Sequence, residues 1–337
     1  MQPIKELISQ FNLEKSTTFG ALTVFPLLSE QNSPLDYLLL GDAVENGWAR
    51  VQEVSDSGNV PELRVENKAD RPVLIMDGEQ LIGAKQNRVA NLTLLLPAGK
   101  TTVIPVSCVE QGRWRSVSDD FAPSADLQFS RGRADRLASV QESLEQCGTR
   151  RSDQGRVWDV VREKSLAMST SSPTGAMSDI FDSHRARIED YLDAFRASDN
   201  QVGAVFGLGG RIFGLDAFDS AQTFARLFPR LIRSYAIDAL ELREEQPAPR
   251  SKDTLRFLRK IGEAGIEHYP AVGLGQDFRL VADGLTAGGL AVGDTVVQLT
   301  AFVDKTARRR GEDGGNRGNA RVASTRARLR SLRGRFH

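Results

Sequence analysis

A mostly polar hexapeptide, Gly83-Ala84-Lys85-Gln86-Asn87-Arg88, stands between two apolar runs, Val73-Leu74-Ile75-Met76 and Leu92-Thr93-Leu94-Leu95-Leu96. A second polar cluster, Cys108-Val109-Glu110-Gln111-Gly112-Arg113-Trp114, follows directly on the strand-like run Thr102-Val103-Ile104-Pro105-Val106. Charged and amide side chains are costly to bury without partners. A fold that packs these apolar runs must therefore surround both clusters with partners or with a ligand. That places a site without naming its chemistry.

The neighbouring segments read as short strands. Ala21 to Leu28 is a first candidate, and Leu63-Arg64-Val65-Glu66-Asn67 alternates apolar and polar residues as a half-buried strand does. Asp77-Gly78 is a two-residue hairpin signal, and Pro97-Ala98-Gly99-Lys100 is a turn between strands. A short helix is expected from Asp42 to Trp48, with Asp42 as its N-cap. The spacing of these strands predicts a β-rich, sandwich-like part over residues 1–118.

Helical spacing then takes over in 119–200, a connector with helices expected at 131–146, 153–168 and from Ser178 to about Arg196. Residues 201–304 read as an α/β part. Val202–Phe206 and Arg211–Leu215 flank Gly207-Leu208-Gly209-Gly210 as a hairpin. A helix from Asp219 to Leu242 is expected to kink or break near Pro229, and a second runs from Ser251 to Ala264. Strands are expected at 266–272, 277–282 and 294–303. The whole is α+β in class, long enough for two domains or one large one.

Net charge is zero, but it is unevenly spread. Residues 305–337 hold 11 Lys and Arg against Glu312 and Asp313, a net +9, so the rest of the chain carries −9. This basic tail is poor in apolar residues and is expected to be disordered. Contact with nucleic acid is one reading of it; a solubilising tail, or one lying on its own acidic body, is the other. No apolar run reaches membrane-spanning length, and the start lacks a signal-peptide core, so a cytoplasmic protein without membrane contact is expected. The two cysteines, Cys108 and Cys147, are expected to be free thiols. No Cys/His spacing points to a metal, and no cofactor is indicated.

If residues 85–94 are extended, Lys85 and Asn87 share one face while Gln86 and Arg88 share the other. Val106, Cys108 and Glu110 likewise share a face. Pairing of the two segments would gather a basic cluster near Cys108 and Glu110, with Glu79 close by. Arg88 or Arg113 can then hold phosphate, and Trp114 offers a flat face to a base. The competing reading is a buried ion-pair network, Glu79 or Glu110 with Lys85 or Arg88, that fixes sheet register. Cys108 is either a thiolate activated by Lys85, Arg88 or Arg113, or a small core residue. His184 and His268 lie far off in sequence. Gly207, Gly209, Gly210 and Gly214 do not make a dinucleotide fingerprint, because Ile212 stands where glycine is needed, and there is no Walker lysine. Asp219 reads as a helix cap, and Arg233 and Tyr235 face either a site or solvent.

Taken together, Glu79-x-x-x-Gly83-Ala84-Lys85-Gln86-Asn87-Arg88 and Pro105-Val106-x-Cys108-Val109-Glu110-x-Gly112-Arg113-Trp114 resemble the domain family named for its association with ADP-ribosylglycohydrolases (ARG) and rhodanese-like phosphatases. Gly214-Leu215-Asp216-Ala217-Phe218-Asp219 and Leu231-Ile232-Arg233-Ser234-Tyr235-Ala236-x-Asp238-Ala239 extend the resemblance over most of residues 20–303. It implies a role near ADP-ribose or NAD-derived nucleotides, with no reaction attached. The ligand set expected on this basis is Lys85, Gln86, Asn87, Arg88, Arg113 and Trp114. Glu79, Glu110 and Cys108 are the candidates for chemistry, if there is any. A non-catalytic module that partners a separate enzyme of ADP-ribose metabolism is the alternative.

If the tail contacts nucleic acid, duplex DNA binding by the full chain weakens steeply with salt and vanishes when residues 305–337 are removed. Gel-shift titrations at two salt concentrations read both effects. Binding that survives truncation or ignores salt rules the tail out as the contact.

Overall fold

A computed structural model describes residues 4–30, 33–55, 58–242 and 247–304; the expected disordered tail, 305–337, lies outside the described residues. The first elements are α1 (Ile4–Ser9), β1 (Asn12–Leu13), β2 (Thr17–Phe19), β3 (Leu22–Leu28), β4 (Leu38–Leu39) and α2 (Leu40–Glu45). A run of strands follows: β5 (Ala49–Glu53), β6 (Glu62–Asn67), β7 (Val73–Ile75), β8 (Glu79–Gly83), β9 (Arg88–Ala90), β10 (Leu94–Leu96), β11 (Thr101–Cys108) and β12 (Phe121–Leu127). Four helices come next: α3 (Ser130–Cys147), α4 (Gln154–Ala167), α5 (Met177–Ser183) and α6 (Arg185–Ala194). The last part holds β13 (Gln201–Leu208), β14 (Arg211–Phe218), α7 (Ala221–Leu240), α8 (Ser251–Gly262), β15 (Gly265–Pro270), β16 (Gln276–Ala282), β17 (Leu285–Val292) and β18 (Thr295–Val303).

The class is α+β. Strands β11-β6-β5-β12-β8-β9 close into a six-stranded barrel where strand spacing predicts a sandwich. Closure follows from β11 being long enough to pair with β6 through its first half and β9 through its second. Inward residues alternate along each strand, and Val51, Leu63, Val65, Leu81, Ala90, Ile104, Val106 and Phe121 fill the interior. A nine-stranded antiparallel sheet runs β1-β3-β13-β14-β18-β17-β16-β15, with β2 on β3. Helix α7 lays Phe224, Leu227, Phe228, Leu231 and Ile232 on one face of it. Helices α1 and α8 cover the other through Ile4, Phe257, Leu258 and Ile261. A small sheet, β10-β7-β4, packs Leu74 and Leu95 against Leu290 and Val297. Pairing crosses the long connections: β3 lies beside β13, and β12 completes the barrel.

Several local expectations change. Asp77-Gly78 does not turn a hairpin, because β7 pairs with β10 and β4 while β8 pairs with β12 and β9. The strands on either side of Pro97–Lys100 likewise join different sheets. Leu39, not Asp42, precedes α2, and Asp42 instead meets Arg226. The helix expected from Ser178 divides at His184, and Ala176 occupies its N-cap. Helix α7 continues through Pro229, which faces solvent, so water can reach the carbonyl that proline leaves unbonded. Its cap is Ser220, whose hydroxyl accepts from the Thr223 amide, while Asp219 accepts from Ser33 and Tyr37.

Barrel and sheet meet at a buried charge network. Arg133 of α3 gives two hydrogen bonds to Asp216 of β14, at 2.6 and 3.1 Å, and a third to Asp77, at 3.1 Å. Arg136 donates to Asp77 at 2.5 Å and to Gln128 at 2.8 Å. Tyr235 of α7 and Thr300 of β18 donate to Asp216. Burial works to raise the Asp77 carboxyl, but Arg136 and Arg133 overcome it and hold the group below the usual carboxylate range. Its contribution to stability is therefore full above about pH 4 and lost as pH falls through the folded value. Gly78, at φ +78°, lets the chain pass Arg133, whose Cγ would lie 3.0 Å from an added Cβ.

Replacing Arg133 with Met takes the paired cation from Asp216 and leaves Asp77 to Arg136 alone, and is expected to cost about 3–5 kcal/mol. Urea denaturation measures it; a loss below about 1 kcal/mol would place the network among weak surface-like pairs.

Candidate functional site

Residues 84–87 bend rather than extend, so the expected alternation of faces fails there. Gly83 and Ala84 both adopt positive φ, +128° and +38°. A clasp holds the bend. Arg113 donates to Glu110 through Nε at 2.8 Å and Nη2 at 2.7 Å, to the Ala84 carbonyl at 2.6 Å, and to Asn87 Oδ1 at 3.1 Å. Glu110 also accepts from the Asn87 amide and the Thr174 hydroxyl. Gly112 allows the 170s loop to close over this clasp, since an added Cβ would sit 2.9 Å from the Thr174 carbonyl. Burial alone would raise the Glu110 carboxyl; the bonds from Arg113, Asn87 and Thr174 hold it below its ordinary value. Glu110, Arg113 and Asn87 thus shape the loop and have little left to offer a ligand.

The expected pairing of the two polar segments is present. Strand β9 pairs with β11 so that Arg88 lies opposite Cys108, and β8 sets Leu81 opposite Arg88. Arg88 and Cys108 therefore share the barrel interior with Leu81, at one mouth. Glu53, at the end of β5 and opposite Leu63, joins them from across the barrel. Arg88 is 0 % exposed. Its Nη1 donates to the carbonyl and side-chain oxygen of Gln86, at 3.0 and 3.2 Å. Its Nε and Nη2 find no hydrogen-bond acceptor among the described residues, and neither oxygen of Glu53 finds a donor. The two charges stand 3.8 Å apart, Nη2 to Oε1. Burial pulls the Arg88 guanidinium below its usual range, against the opposing pull of Cys108 and Glu53.

Trp114 covers this pair. It is 49 % exposed, and the guanidinium of Arg88 and the ammonium of Lys85 lie 5.8 and 5.7 Å from its ring centre. Above Gly58 one point lies 3.1 Å from Lys85 Cδ, 3.3 Å from Glu53 Oε2 and 3.4 Å from Trp114 Cζ2, so these side chains converge.

Two candidates for chemistry are placed otherwise. Glu79 sits at the far end of β8, roughly 13 Å from Gly83 by strand rise. It pairs with Arg230 at 2.9 Å and accepts from the Met76 amide. Cys108 is buried and donates to Gln86 Oε1 at 3.0 Å. Burial pushes its thiol up against the pull of Arg88. His184 is turned toward Met168 and Thr170, and His268 lies on β15. Tyr235 and Asp216 belong to the buried network, and Arg233 pairs with Asp126 and Glu189.

Glu53 is the residue that sequence reasoning passes over. An acid closing a short polar strand reads as a solvated edge; only the inward alternation from Val51 would have marked it. Two cavities lie elsewhere, about 340 Å³ between α3, α4 and β18 and about 280 Å³ beside Asp219. Their volumes are nearer to small-ligand size. Their buried charged groups, Lys164 and Asp219, already have partners, so the unmet donors and acceptors favour the barrel mouth. No group of His, Cys, Asp and Glu arranged to hold a metal occurs among the described residues, nor any helix long and apolar enough to cross a membrane.

A family model described as ARG and Rhodanese-Phosphatase-superfamily-associated Protein domain matches residues 10–302. No curated protein and no solved structure matches the chain.

With Cys108 protonated and enclosed, a disulfide thiol reagent is expected to label the native chain quickly at the exposed Cys147 alone. Cys108 should react only on unfolding. Two fast thiols in the absorbance trace would contradict this placement.

Proposed function

The chain belongs to the ARG and Rhodanese-Phosphatase-superfamily-associated Protein domain family, and we propose that its barrel mouth binds ADP-ribose or a related NAD-derived nucleotide. The observation that carries this reading is the Arg88–Glu53 pair, buried with unspent donors and acceptors beneath the half-exposed ring of Trp114. A base stacks on Trp114, as bases do on flat aromatic faces. Lys85, at the rim, sets positive charge against a phosphate. Arg88 gives its remaining N–H groups to ligand oxygens, with Gln86 fixing its orientation. Because the pair is closed over, the ligand gains access by displacing the Trp114 and Lys85 side chains.

Binding without turnover is the form of this function that the geometry favours. A general acid or base needs a proton-accepting atom within reach of the substrate; at this mouth Glu53 has unmet oxygens, but it faces the Arg88 guanidinium, which disfavours its taking up a proton. Glu110 is committed to Arg113, Asn87 and Thr174, and Glu79 to Arg230. Cys108 has no base beside it among the described residues. A binding module acting with a separate enzyme fits these commitments.

Calorimetric titration of ADP-ribose into the full chain should show saturable binding. Trp114→Ala, a surface change, should weaken it roughly 5- to 150-fold, the range for loss of one stacked base. Chromatography of the incubated nucleotide, and of ADP-ribosylated protein, should return both unchanged. No saturable binding overturns the reading; consumption of either compound overturns the non-catalytic form of it.

A further inference from the structure

We infer that Glu53, with Arg88, is the reader of a ribose cis-diol, specifically the 2′,3′-hydroxyls of the ribose attached to the base stacked on Trp114. The inference rests on the nucleotide reading of this mouth and adds to it which part of the ligand is recognised and by which carboxylate.

Arg88 Nη2 and Glu53 Oε1 are 3.8 Å apart. That is too far for a direct hydrogen bond, which needs about 2.7–3.2 Å. It is close enough for a single oxygen to lie about 2.8 Å from both. The bridging oxygen must accept from the guanidinium and donate to the carboxylate. A hydroxyl does both. A phosphate oxygen can only accept, and would face the Glu53 charge. An ammonium can only donate, and would face Arg88. Glu53 has a second unpartnered oxygen, and Arg88 a second unpartnered donor at Nε. Two adjacent hydroxyls therefore match the pair better than one. A cis-diol on a five-membered ring presents its hydroxyls side by side, and a carboxylate accepting from ribose hydroxyls is a recurrent form of nucleotide recognition. Water can bridge the same gap in the free protein, and the ligand hydroxyl takes its place.

The position of Trp114 decides which ribose is meant. Glu53 Oε2 and Trp114 Cζ2 both lie within contact distance of one point above Gly58. A base on the indole face carries its own ribose toward that point, whereas a distal ribose is separated from it by the pyrophosphate. The strands hold the pair rigidly: Glu53 follows Val51 on β5, and Arg88 is locked by Gln86 and the paired β9 and β11. Specificity then comes from leaving buried polar groups unmet when the hydroxyls are missing.

The test compares ADP-ribose, ADP and 2′,3′-dideoxy-ADP by titration into the full chain, with Trp114 fluorescence as the second readout. ADP is expected to bind at least about tenfold more tightly than its dideoxy analogue, the loss for hydrogen bonds to charged groups. In Glu53→Gln, which keeps the shape but removes the charge, that ratio should fall toward one. Equal affinity of ADP and dideoxy-ADP for the wild-type chain overturns the diol inference and leaves the nucleotide reading standing. Absence of binding by both ADP-ribose and ADP overturns the two together. The wild-type comparison decides the matter even where Glu53→Gln fails to fold.

Discussion

Two of the three guanidinium groups of α3, those of Arg133 and Arg136, tie the molecule together. Arg133 bonds both Asp77, beside the barrel, and Asp216, inside the nine-stranded sheet. Arg136 ties the same Asp77 to Gln128, and Tyr235 brings α7 to Asp216. None of these groups can be neutralised cheaply, because each carboxylate faces a buried cation and each cation faces burial alone if its partner goes. The relative position of barrel and sheet is thereby fixed by charge as well as by the apolar contacts of Met76 and Leu127. Two of the sequence patterns that attract attention, around Asp216 and around Tyr235 and Asp238, serve this purpose. Asp238 is likewise buried, accepting from Ser130, the Arg131 amide and Lys164.

The barrel mouth divides its polar residues into two sets. Glu110, Arg113, Asn87 and Thr174 satisfy one another, and their product is a loop shape. Arg88 and Glu53 are oriented by their strands and by Gln86 but leave atoms unmet. The first set makes the second set rigid. Its donors are already aimed, so the rearrangement on binding falls on Trp114 and Lys85, which cover them. This division also explains why so many charged residues lie near the mouth while so few are available there.

Much of this was legible in the sequence. The Arg88 and Cys108 segments do pair, because apolar residues flanking both clusters could be satisfied only in a common core. The helices of 131–146 and 153–168 are found within a residue or so, since their apolar periodicity is local. What failed was partner choice. Arg113 reads as a phosphate ligand until Glu110, three residues before it, is seen to turn back on it. Glu79 reads as part of the cluster until Arg230, 151 residues away, claims it. Asp77-Gly78 has the composition of a hairpin turn, yet Asp77 is needed by Arg133 and Arg136. Alternation and spacing report which way a side chain points, not which distant charge meets it.

The pairing of β3 with β13 bears on how the chain is made. Leu22 to Leu28 is almost wholly buried, with β1 and β2 on one edge, yet its partner on the other edge begins only at Gln201. A ribosome adding about 5–20 residues per second needs roughly ten to thirty-five seconds to supply that partner. Over this interval an apolar strand waits in the nascent chain with an open edge, the condition in which strands find the wrong neighbour. Residues 49–127 can meanwhile close their barrel among themselves, leaving no open edge there. The barrel can therefore close before the nine-stranded sheet, in which β3 waits for β13.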